Sequence, residues 1–322
     1  MPKSSAAKTR SFFPSKYRLE ENRSDRLSKK DKASSFPAGK GTTLYHLRQR
    51  ASRRNTSTQT IQSNPKLPTK NLPAPGPPEL PQKIRLVRYV ALSGVASRRE
   101  AVKVIKNGQV TVNGQVVREP WVYVNVETDK VTYRGQPIRP EKPVYILLNK
   151  PKNTICTLRD ERGRPTVMDL LEGAPKVRLY PVGRLDRNTT GILILTNDGD
   201  LTQKLLHPKS QVPRVYRATT VKPMTKAVVE KLLEGVPLPD GVAQADKVVL
   251  EDPYTLLITI HIGRKHIVRR MLEYLGYRLK SLDRIAFGPI TRKGVRRGQW
   301  RYLTAQEVGW LKMLPDPRKK PT

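Results

Sequence analysis

Asp186 is the residue of this sequence whose setting most favours chemistry. It ends the run Gly-Arg-Leu-Asp, and the turn-forming run Arg-Asn-Thr-Thr-Gly separates it from the apolar segment 192–195. A carboxylate held in a turn beside a buried strand is suited to nucleophilic or general acid–base catalysis. The simpler alternative is that Asp186 caps its own turn by accepting hydrogen bonds from the amides of Thr189 or Thr190. A phosphate-binding P-loop is excluded because no Gly-Lys-Ser/Thr follows.

Two further segments carry groups that bind rather than react. Tyr216 lies among basic residues in the strand-like segment 215–218, and the segment 262–271 runs from an apolar strand into a helix rich in Lys and Arg. Taken alone, Tyr216 is more often a core or cross-strand residue than a platform on which a base stacks. The basic helix, taken alone, is either a solvated face or a phosphate-binding face.

The cysteine and histidine content gives no indication of a metal or cofactor site. Cys156 is the single cysteine, so the chain can form neither an internal disulfide nor a zinc site with several Cys ligands. Its β-like setting is typical of a small buried hydrophobic residue rather than of a nucleophile. The four histidines are not spaced as a set of ligands; they are His46, His207, His261 and His266. We therefore expect no metal and no cofactor.

The charge of the chain points to a polyanionic partner. Its 62 Lys and Arg residues against 27 Asp and Glu residues give a formal net charge of +35. An excess of this size is typical of proteins that bind RNA, DNA or an anionic membrane. No stretch approaches the roughly 18 consecutive apolar residues that span a bilayer. The basic amino-terminal segment also lacks an apolar face to insert into a membrane surface, so a nucleic acid is the expected partner.

Residues 1–82 are predicted to form a disordered basic tail that ends in a proline-rich linker. They contain 17 Lys and Arg against 5 Asp and Glu, many Ser and Thr, and no sustained apolar period. The start of the chain contains no apolar segment of the kind that a secretion signal requires. The first 19 residues contain no Asp or Glu, so an organellar transit peptide remains an alternative. An electrostatic tether for RNA is the favoured use of the tail, and the expected location is cytoplasmic.

Residues 83–143 are predicted to form a small domain of two helices and a hairpin, followed by a linker with three prolines. Apolar residues recur at helical spacing over 84–91, and Gly94 is placed to end that helix. A second helix begins at the capping box Ser-Arg-Arg-Glu of 97–100, in which the Ser and Glu side chains cap each other's amides. Asn113-Gly114 between two β-branched runs is a strong hairpin signal.

This small domain resembles the S4 RNA-binding domain. The resemblance rests on Gly-Val-Ala-Ser-Arg-Arg-Glu-Ala at 94–101 and Val-Thr-Val-Asn-Gly at 110–114. It implies RNA binding, with Arg98, Arg99 and Lys103 contacting phosphates near the start of the second helix. The alternative is that these residues only cap the elements of a small α/β module, but capping does not require consecutive arginines after Ser97.

Residues 144–315 are predicted to form a larger domain of the α+β class. β-like runs cover 144–148, 192–196, 215–220 and 255–262, and helical patterns cover 225–233 and 266–275. Strands outnumber helices, and turns rather than crossover helices join several of them. A mixed, largely antiparallel central sheet flanked by helices is therefore expected.

From about 84 to 310 the chain resembles the S4-domain-containing ribosomal RNA pseudouridine synthases typified by small-subunit synthase A and large-subunit synthase B. The motifs are Asn-Lys-Pro at 149–151, Gly-Arg-Pro-Thr at 163–166, Gly-Arg-Leu-Asp at 183–186 with Thr189 and Gly191, Leu-Thr-Asn-Asp-Gly at 195–199 and Leu-His-Pro at 206–208. The resemblance implies an isomerase that breaks the N1–C1′ bond of a uridine, turns the uracil and rejoins it through C5. This reaction requires no redox step and no energy source.

The resemblance also implies a role for each candidate residue. Asp186 is the essential catalytic carboxylate, and Tyr216 is the residue that stacks on the extruded uracil. Arg269 is the partner that stabilises the ionised Asp186 and fixes its geometry, while Arg184 supports the active site. The other predicted RNA contacts of this domain are Arg187 and Arg270.

Three positions depart from the family pattern. Ile262 and Ile267 stand where the family commonly has Glu and Gln, and Asn153 stands where Gly is usual. Asn tolerates a left-handed backbone, so that change is mild. Ile267 cannot make the hydrogen bonds of a glutamine, and we expect it to alter substrate handling. Asp186 and its predicted partners are retained, which predicts an active enzyme.

The predicted function is isomerisation of a specific uridine of ribosomal RNA by a monomeric enzyme, acting on a ribosomal subunit or an assembly intermediate. The residues around Asp186 and Arg269 are closer to the large-subunit synthase B branch, which favours 23S rRNA. The alternative is a non-catalytic S4-type RNA-binding or ribosome-assembly protein with a degenerate synthase domain. Such a domain is expected to lose Asp186 or its Arg partner first, and both are present.

Overall fold

The computed structural model describes residues 80–316 and 318. The predicted basic tail therefore lies outside the described residues, apart from 80–82. The described residues form a small amino-terminal region, followed by a larger region built on a nine-stranded sheet. The predicted domain boundaries at 82/83 and 143/144 stay predictions.

The amino-terminal region contains two helices and two small sheets. Its elements are β1 (Lys83–Arg85), α1 (Leu86–Leu92), α2 (Arg98–Lys106), β2 (Val110–Val112), β3 (Gln115–Val116), β4 (Tyr123–Asn125), β5 (Val131–Tyr133) and β6 (Gln136–Pro137). Strand β1 pairs with β4, and the other strands form a sheet in the order β3-β2-β5-β6. Apolar side chains from both helices and both sheets form one core.

Local sequence signals determine much of this region. Helix α2 begins at the predicted capping box: the Glu100 amide donates to Ser97 Oγ at 3.2 Å, and the Ser97 amide donates to Glu100 Oε2 at 2.8 Å. The β2–β3 hairpin turns at Asn113 and Gly114, whose φ angles of 51° and 84° fit the turn type that this dipeptide favours. Both predictions are confirmed.

The first helix begins later than its apolar period predicts. Ile84 belongs to strand β1 and pairs with Val124, while Arg85 has extended angles of φ −64° and ψ 140°. Pairing with β4 satisfies the backbone groups of 83–85 and buries Ile84, so the prediction of a helix from position 84 is wrong by two residues.

The larger region alternates strands with four helices. Its strands are β7 (Tyr145–Lys150), β8 (Tyr180–Pro181), β9 (Thr190–Thr196), β10 (Arg214–Thr220), β11 (Val236–Leu238), β12 (Gly241–Ala243), β13 (Lys247–Asp252), β14 (Thr255–Ile260), β15 (Leu279–Phe287), β16 (Ile290–Thr291) and β17 (Trp300–Tyr302). Its helices are α3 (Gly199–Leu206), α4 (Lys226–Glu234), α5 (Ile267–Tyr274) and α6 (Ala305–Met313). The predicted strands and helices match these elements to within two residues at each end.

The central sheet is mixed, as predicted. Its strand order is β13-β14-β10-β15-β9-β7-β17, with β16 and β8 added beside β15 and β9. Strands β9 and β15 run parallel, whereas the other paired strands of this sheet are antiparallel. At the parallel pair Gly191 lies opposite Arg284 with a φ of +113°, and a Cβ at this glycine would collide with the Arg284 backbone.

The sheet has helices on both faces because its central strands are apolar on both sides. Alternate residues of β7 and β9 pack on the side of α4 and α5; they are Ile146, Leu148, Leu193 and Leu195. The other alternate residues pack on the side of α3 and α6; they are Tyr145, Leu147, Ile192 and Ile194. None of the helices among the described residues combines the length and hydrophobicity that a membrane crossing requires.

Candidate active site

A single large cleft contains the residues that the sequence singled out for chemistry. It has a volume of about 730 Å³ and opens between the β8–β9 loop, the β14–α5 loop and the strands β10 and β15. Two carboxylates line it, Asp160 and Asp186. Seven cationic side chains also line it: Arg164, Arg184, Arg187, Arg214, Arg264, Lys265 and Arg284. The cleft is therefore strongly cationic around a few acids, which suits a polyanionic substrate.

Asp186 projects from the β8–β9 loop and remains partly open to solvent. Its Oδ1 lies 3.2 Å from His266 Nε2, and Thr189 Oγ1 donates a long hydrogen bond of 3.5 Å to its Oδ2. The turn itself closes through the main chain, because the Thr189 amide donates to the Asp186 carbonyl at 3.1 Å. The side chain therefore accepts no hydrogen bond from an amide of its turn, and its carboxylate is available to the cleft.

A buried lysine supports the loop that carries Asp186. Lys150, at the end of β7, is 0% exposed, and its Nζ donates to the carbonyls of Arg187 at 3.1 Å and Pro151 at 3.0 Å. Burial lowers the pKa of this ammonium group to about 8, and the nearby Asp186 charge opposes that shift. The lysine of the Asn-Lys-Pro motif thus joins the end of β7 to the β8–β9 loop that carries Asp186.

Tyr216 is a core residue that also lines the cleft. It lies on β10 between Ile258 of β14 and Arg284 of β15, is 9% exposed, and belongs to the hydrophobic core while also lining the cleft. The position suits stacking on an extruded base, and this role stays a prediction.

Two arginines that the sequence did not single out, the buried Arg284 and the half-buried Arg214, form part of the cleft wall. Arg284 is 2% exposed and donates from Nε to the Ile192 carbonyl at 2.9 Å. Arg214 donates to the His261 carbonyl at 2.7 Å, and both guanidinium groups lie within 6 Å of the Phe287 ring. Neither arginine belongs to a motif that the sequence analysis singled out.

The predicted pairing of Arg269 with Asp186 is corrected by the structure. Arg269 lies in the first turn of α5, 4.0 Å from Glu273 of the next turn, and lines a smaller pocket with Lys152 and Lys280. The residue beside Asp186 is His266, which immediately precedes the helix. His266 has a left-handed backbone rather than a helical one, so the helical spacing of positions 266 and 269 does not place their side chains on one face.

The β14–α5 loop is held by ion pairs with the β11–β12 turn. Arg270 forms a bidentate pair with Asp240, and this pairing lowers the pKa of the Asp240 carboxyl group. Arg264 donates to the Gly241 carbonyl at 2.6 Å. The Arg270 guanidinium is engaged by Asp240 and lies outside the lining of the main cleft, and its predicted role as a phosphate ligand stays a prediction.

The other predicted RNA contacts lie in two places. Arg184 and Arg187 are exposed at the cleft rim. Arg99 and Lys103 are exposed on α2 of the amino-terminal region, while the Arg98 guanidinium approaches Gly199 at the start of α3. Arg98 therefore lies at the junction of the two regions.

The departures from the family pattern also fall in or near the cleft. Ile267 is 6% exposed and Ile262 is partly buried; both side chains pack on the core and line the cleft. Asn153 has a left-handed backbone with a φ of 60°. Asn adopts this conformation more readily than most residues, so it can stand where Gly is usual.

Cys156 lines the cleft but is not set up as a nucleophile. Burial raises the pKa of its thiol, and Sγ accepts a hydrogen bond from the Leu185 amide at 3.3 Å. Among the described residues, no group of three or more His, Cys, Asp and Glu side chains is arranged to hold a metal ion.

The fold and the cleft together define the class of protein. A partly exposed Asp, a buried Tyr in the same cleft and a cationic rim suit an enzyme that acts on a nucleotide of RNA. Residues 144–274 match the family model described as RNA pseudouridylate synthase, and residues 84–121 match the S4 domain. The chain belongs to the S4-domain-containing RNA pseudouridine synthases and is an isomerase. The predicted family and fold class are confirmed.

Similar proteins cover about seven tenths of this chain. An uncharacterised RNA pseudouridine synthase of Aquifex aeolicus (strain VF5) is 43% identical over 71% of this chain and 94% of its own length. Ribosomal large subunit pseudouridine synthase B of Bacillus subtilis (strain 168) is 39% identical over 73% and 98%. A crystal structure of a pseudouridylate synthase superimposes with a TM-score of 0.52 and 29% identity, covering 71% of this chain and 99% of that one.

Proposed function

We propose that this enzyme isomerises a uridine of ribosomal RNA, in the large subunit, with Asp186 as its essential carboxylate. The observation that carries the proposal is that Asp186 and Tyr216 line the same cationic cleft. The large-subunit target is supported by the name of the Bacillus subtilis relative, which is similar along nearly its whole length. A cytoplasmic location and a monomeric state stay predictions from the sequence.

The chemistry needs only groups that the cleft supplies. The N1–C1′ bond of the uridine breaks, the uracil turns and a C5–C1′ bond forms. The C5 proton is lost and N1 gains a proton, so the reaction balances without an external reagent. Asp186 is the group placed to react with the substrate or to take up a proton, because its carboxylate faces the cleft and His266 lies 3.2 Å away.

The target uridine must leave its helical stack to reach this carboxylate. Tyr216 then provides a flat surface for the uracil, and such stacking contributes on the order of 1–3 kcal/mol per base. Arg184 and Arg187 at the rim are placed to bind the flanking phosphates. Phosphate contacts by the cleft and by the exposed cations of α2 make RNA affinity fall as salt rises.

The proposal is tested by replacing the carboxylate without changing its volume. Asp186→Asn should lower pseudouridine formation on rRNA by more than about a hundredfold, because the neutral amide can neither react nor accept a proton. RNA affinity should change only a few fold, since phosphate contacts supply most of it. Single-turnover pseudouridine formation and filter binding measure the two quantities.

A matched control uses Asp246, a second carboxylate that contacts a histidine. Asp246 is 2.6 Å from His261, and neither residue lines the cleft. Asp246→Asn should therefore leave turnover close to wild type. Turnover of Asp186→Asn near the wild-type rate would contradict the catalytic role.

Mapping of pseudouridine in rRNA from cells with and without the gene tests the substrate. A large-subunit uridine that loses its modification supports the proposal, and a small-subunit or transfer-RNA site contradicts it. Complementation with Asp186→Asn separates catalysis from the non-catalytic alternative. Restored growth without restored pseudouridine would favour a role in ribosome assembly.

A further inference from the structure

We propose that His266 is a positioning residue that orients the Asp186 carboxylate for the reaction. The proposal rests on the proposed role of Asp186. His266 Nε2 lies 3.2 Å from Asp186 Oδ1, and the two side chains are 41% and 35% exposed. Because a neutral ring protonated at Nε2 and a charged ring both present an N–H there, the contact does not depend on the charge of the ring.

The backbone directs this ring into the cleft. His266 has a left-handed conformation, with φ 53° and ψ 28°, immediately before α5 begins at Ile267. Few residue types adopt this region readily, and His is among those enriched there. The main chain therefore turns sharply at His266, which presents the ring to the cleft while the next side chain enters the core.

The loop that carries the ring is fastened on both sides of the histidine. Before it, Arg264 donates to the Gly241 carbonyl at 2.6 Å; after it, Arg270 pairs with Asp240 and also donates to the Lys265 carbonyl at 3.3 Å. A ring on a fastened loop can fix the direction of a partner group, which a ring on a mobile loop cannot do.

The two oxygens of the carboxylate have different neighbours. Oδ1 faces His266 from the β14–α5 loop, and Oδ2 accepts from Thr189 of its own loop at 3.5 Å. Polar contacts at both oxygens, the close approach of His266 Nε2 to Oδ1 and the Thr189 hydroxyl on Oδ2, restrict rotation of the carboxylate about its Cβ–Cγ bond. His266 therefore selects the direction in which Asp186 presents its free electron pairs to the substrate.

The role is tested with two amide variants in the full chain. His266→Gln keeps an N–H donor near the position of Nε2, whereas His266→Asn suits the left-handed backbone but is too short to reach Asp186. The single-turnover rate on an rRNA transcript should fall about tenfold in His266→Asn, the effect expected when a carboxylate loses one close polar contact. His266→Gln should retain most of the rate, and RNA affinity should be unchanged in both.

His261 provides the control. It pairs with Asp246 at 2.6 Å, has a similarly exposed side chain at 34%, and does not line the cleft. His261→Asn should leave the rate unchanged. Thermal denaturation of all three variants separates a folding defect from a positioning defect.

Three outcomes overturn the inference. A His266→Gln rate as low as that of His266→Asn would mean that the ring itself transfers a proton. Wild-type rates in both variants would mean that the contact is incidental, and a loss confined to RNA affinity would mean that His266 only binds RNA. If one of these outcomes is found while Asp186→Asn is inactive, the role of His266 is refuted and the proposed function stands. If the wild-type chain makes no pseudouridine in rRNA, the proposed function is refuted as well.

Discussion

Lys150 is the residue on which the catalytic loop rests. Its ammonium group donates to the carbonyls of Pro151 and Arg187, and so joins the end of β7 to the loop that carries Asp186. Lys150→Met keeps the length of the side chain but removes both hydrogen bonds. We expect the single-turnover rate to fall roughly tenfold while RNA affinity is retained, because the loop loses its support rather than its phosphate ligands. An unchanged rate would show that the loop is held by other contacts.

The same lysine makes stability depend on pH in a defined direction. Its folded-state pKa of about 8 lies below the ordinary value of 10.5, so the folded chain holds this proton less tightly than the unfolded chain. Burial of Lys150 therefore opposes folding below about pH 8, and the opposition fades as the pH rises to about 10.5. The unfolding free energy of wild type relative to Lys150→Met should rise across this window. Urea denaturation at several pH values measures it, and a falling difference would contradict the sign.

Alkylation and substitution of Cys156 test whether a thiol in the cleft takes part in the reaction. Because burial raises the pKa of this thiol, its thiolate forms at higher pH than that of free cysteine. Alkylation by iodoacetamide should therefore be slower in the folded chain than in urea, and its midpoint should lie at higher pH. Cys156→Ala should keep the pseudouridine-forming rate within about threefold, since thiolates rather than thiols react. Loss of activity comparable to Asp186→Asn would give the thiol a catalytic role.

The sequence predicted which residues line the cleft better than it predicted which side chains contact each other. Asp186 and Tyr216 stand in specific motifs, and both line the cleft. The partner of Asp186 depended on where α5 begins and on the backbone at His266, which is left-handed rather than helical. The run 262–271 contains several side chains that could approach Asp186, and only the three-dimensional path of the loop decides which one does.

At the scale of elements, Gly191 is the point where two strands come closest. It begins the buried part of β9, has a φ of +113°, and lies opposite Arg284 of the parallel strand β15. A Cβ at this position would lie 2.5 Å from the Arg284 nitrogen and nearer still to its carbonyl oxygen. Gly191→Ala should therefore lower the unfolding free energy by more than ~1 kcal/mol, through both strain and collision. Thermal and urea denaturation measure the change.

Gly309 is the matched control for this substitution. It lies within α6, and a Cβ there would meet no atom within 4 Å. Gly309→Ala should leave stability unchanged or raise it by about 0.5–1 kcal/mol, because alanine loses less backbone entropy in a helix. Equal destabilisation by both substitutions would contradict the close approach of β9 and β15.

Elements set by local rules were predictable, and those set by distant pairing were not. The capping box of α2 and the Asn113-Gly114 turn depend on residues within four positions of each other, and both formed as predicted. The strand at Ile84 required a partner almost forty residues away, and the parallel contact of β9 with β15 joins segments about ninety residues apart. Periodicity carries no information about such partners.

At the scale of the whole molecule, the amino-terminal region contacts the catalytic region through charge. Arg88 of α1 pairs with Asp200 of α3, and Arg98 of α2 approaches Gly199. Both partners of the ion pair are partly exposed, so solvent screens it and its contribution to stability is small. The contact therefore aligns the exposed cations of α2 with the catalytic region without requiring a large buried interface.

The amino-terminal 79 residues bear on RNA affinity through their composition. They carry 17 Lys and Arg against 5 Asp and Glu, and a chain that neutralises phosphates releases bound counterions in proportion. Deleting residues 1–79 should reduce the dependence of log Kd on log salt concentration but leave the single-turnover rate at saturating enzyme unchanged. The matched control keeps the length of the segment and replaces its Lys and Arg with Gln; it should reproduce the shallower salt dependence. A truncated enzyme that is inactive at saturation would show that this segment contributes to the reaction itself rather than to RNA capture.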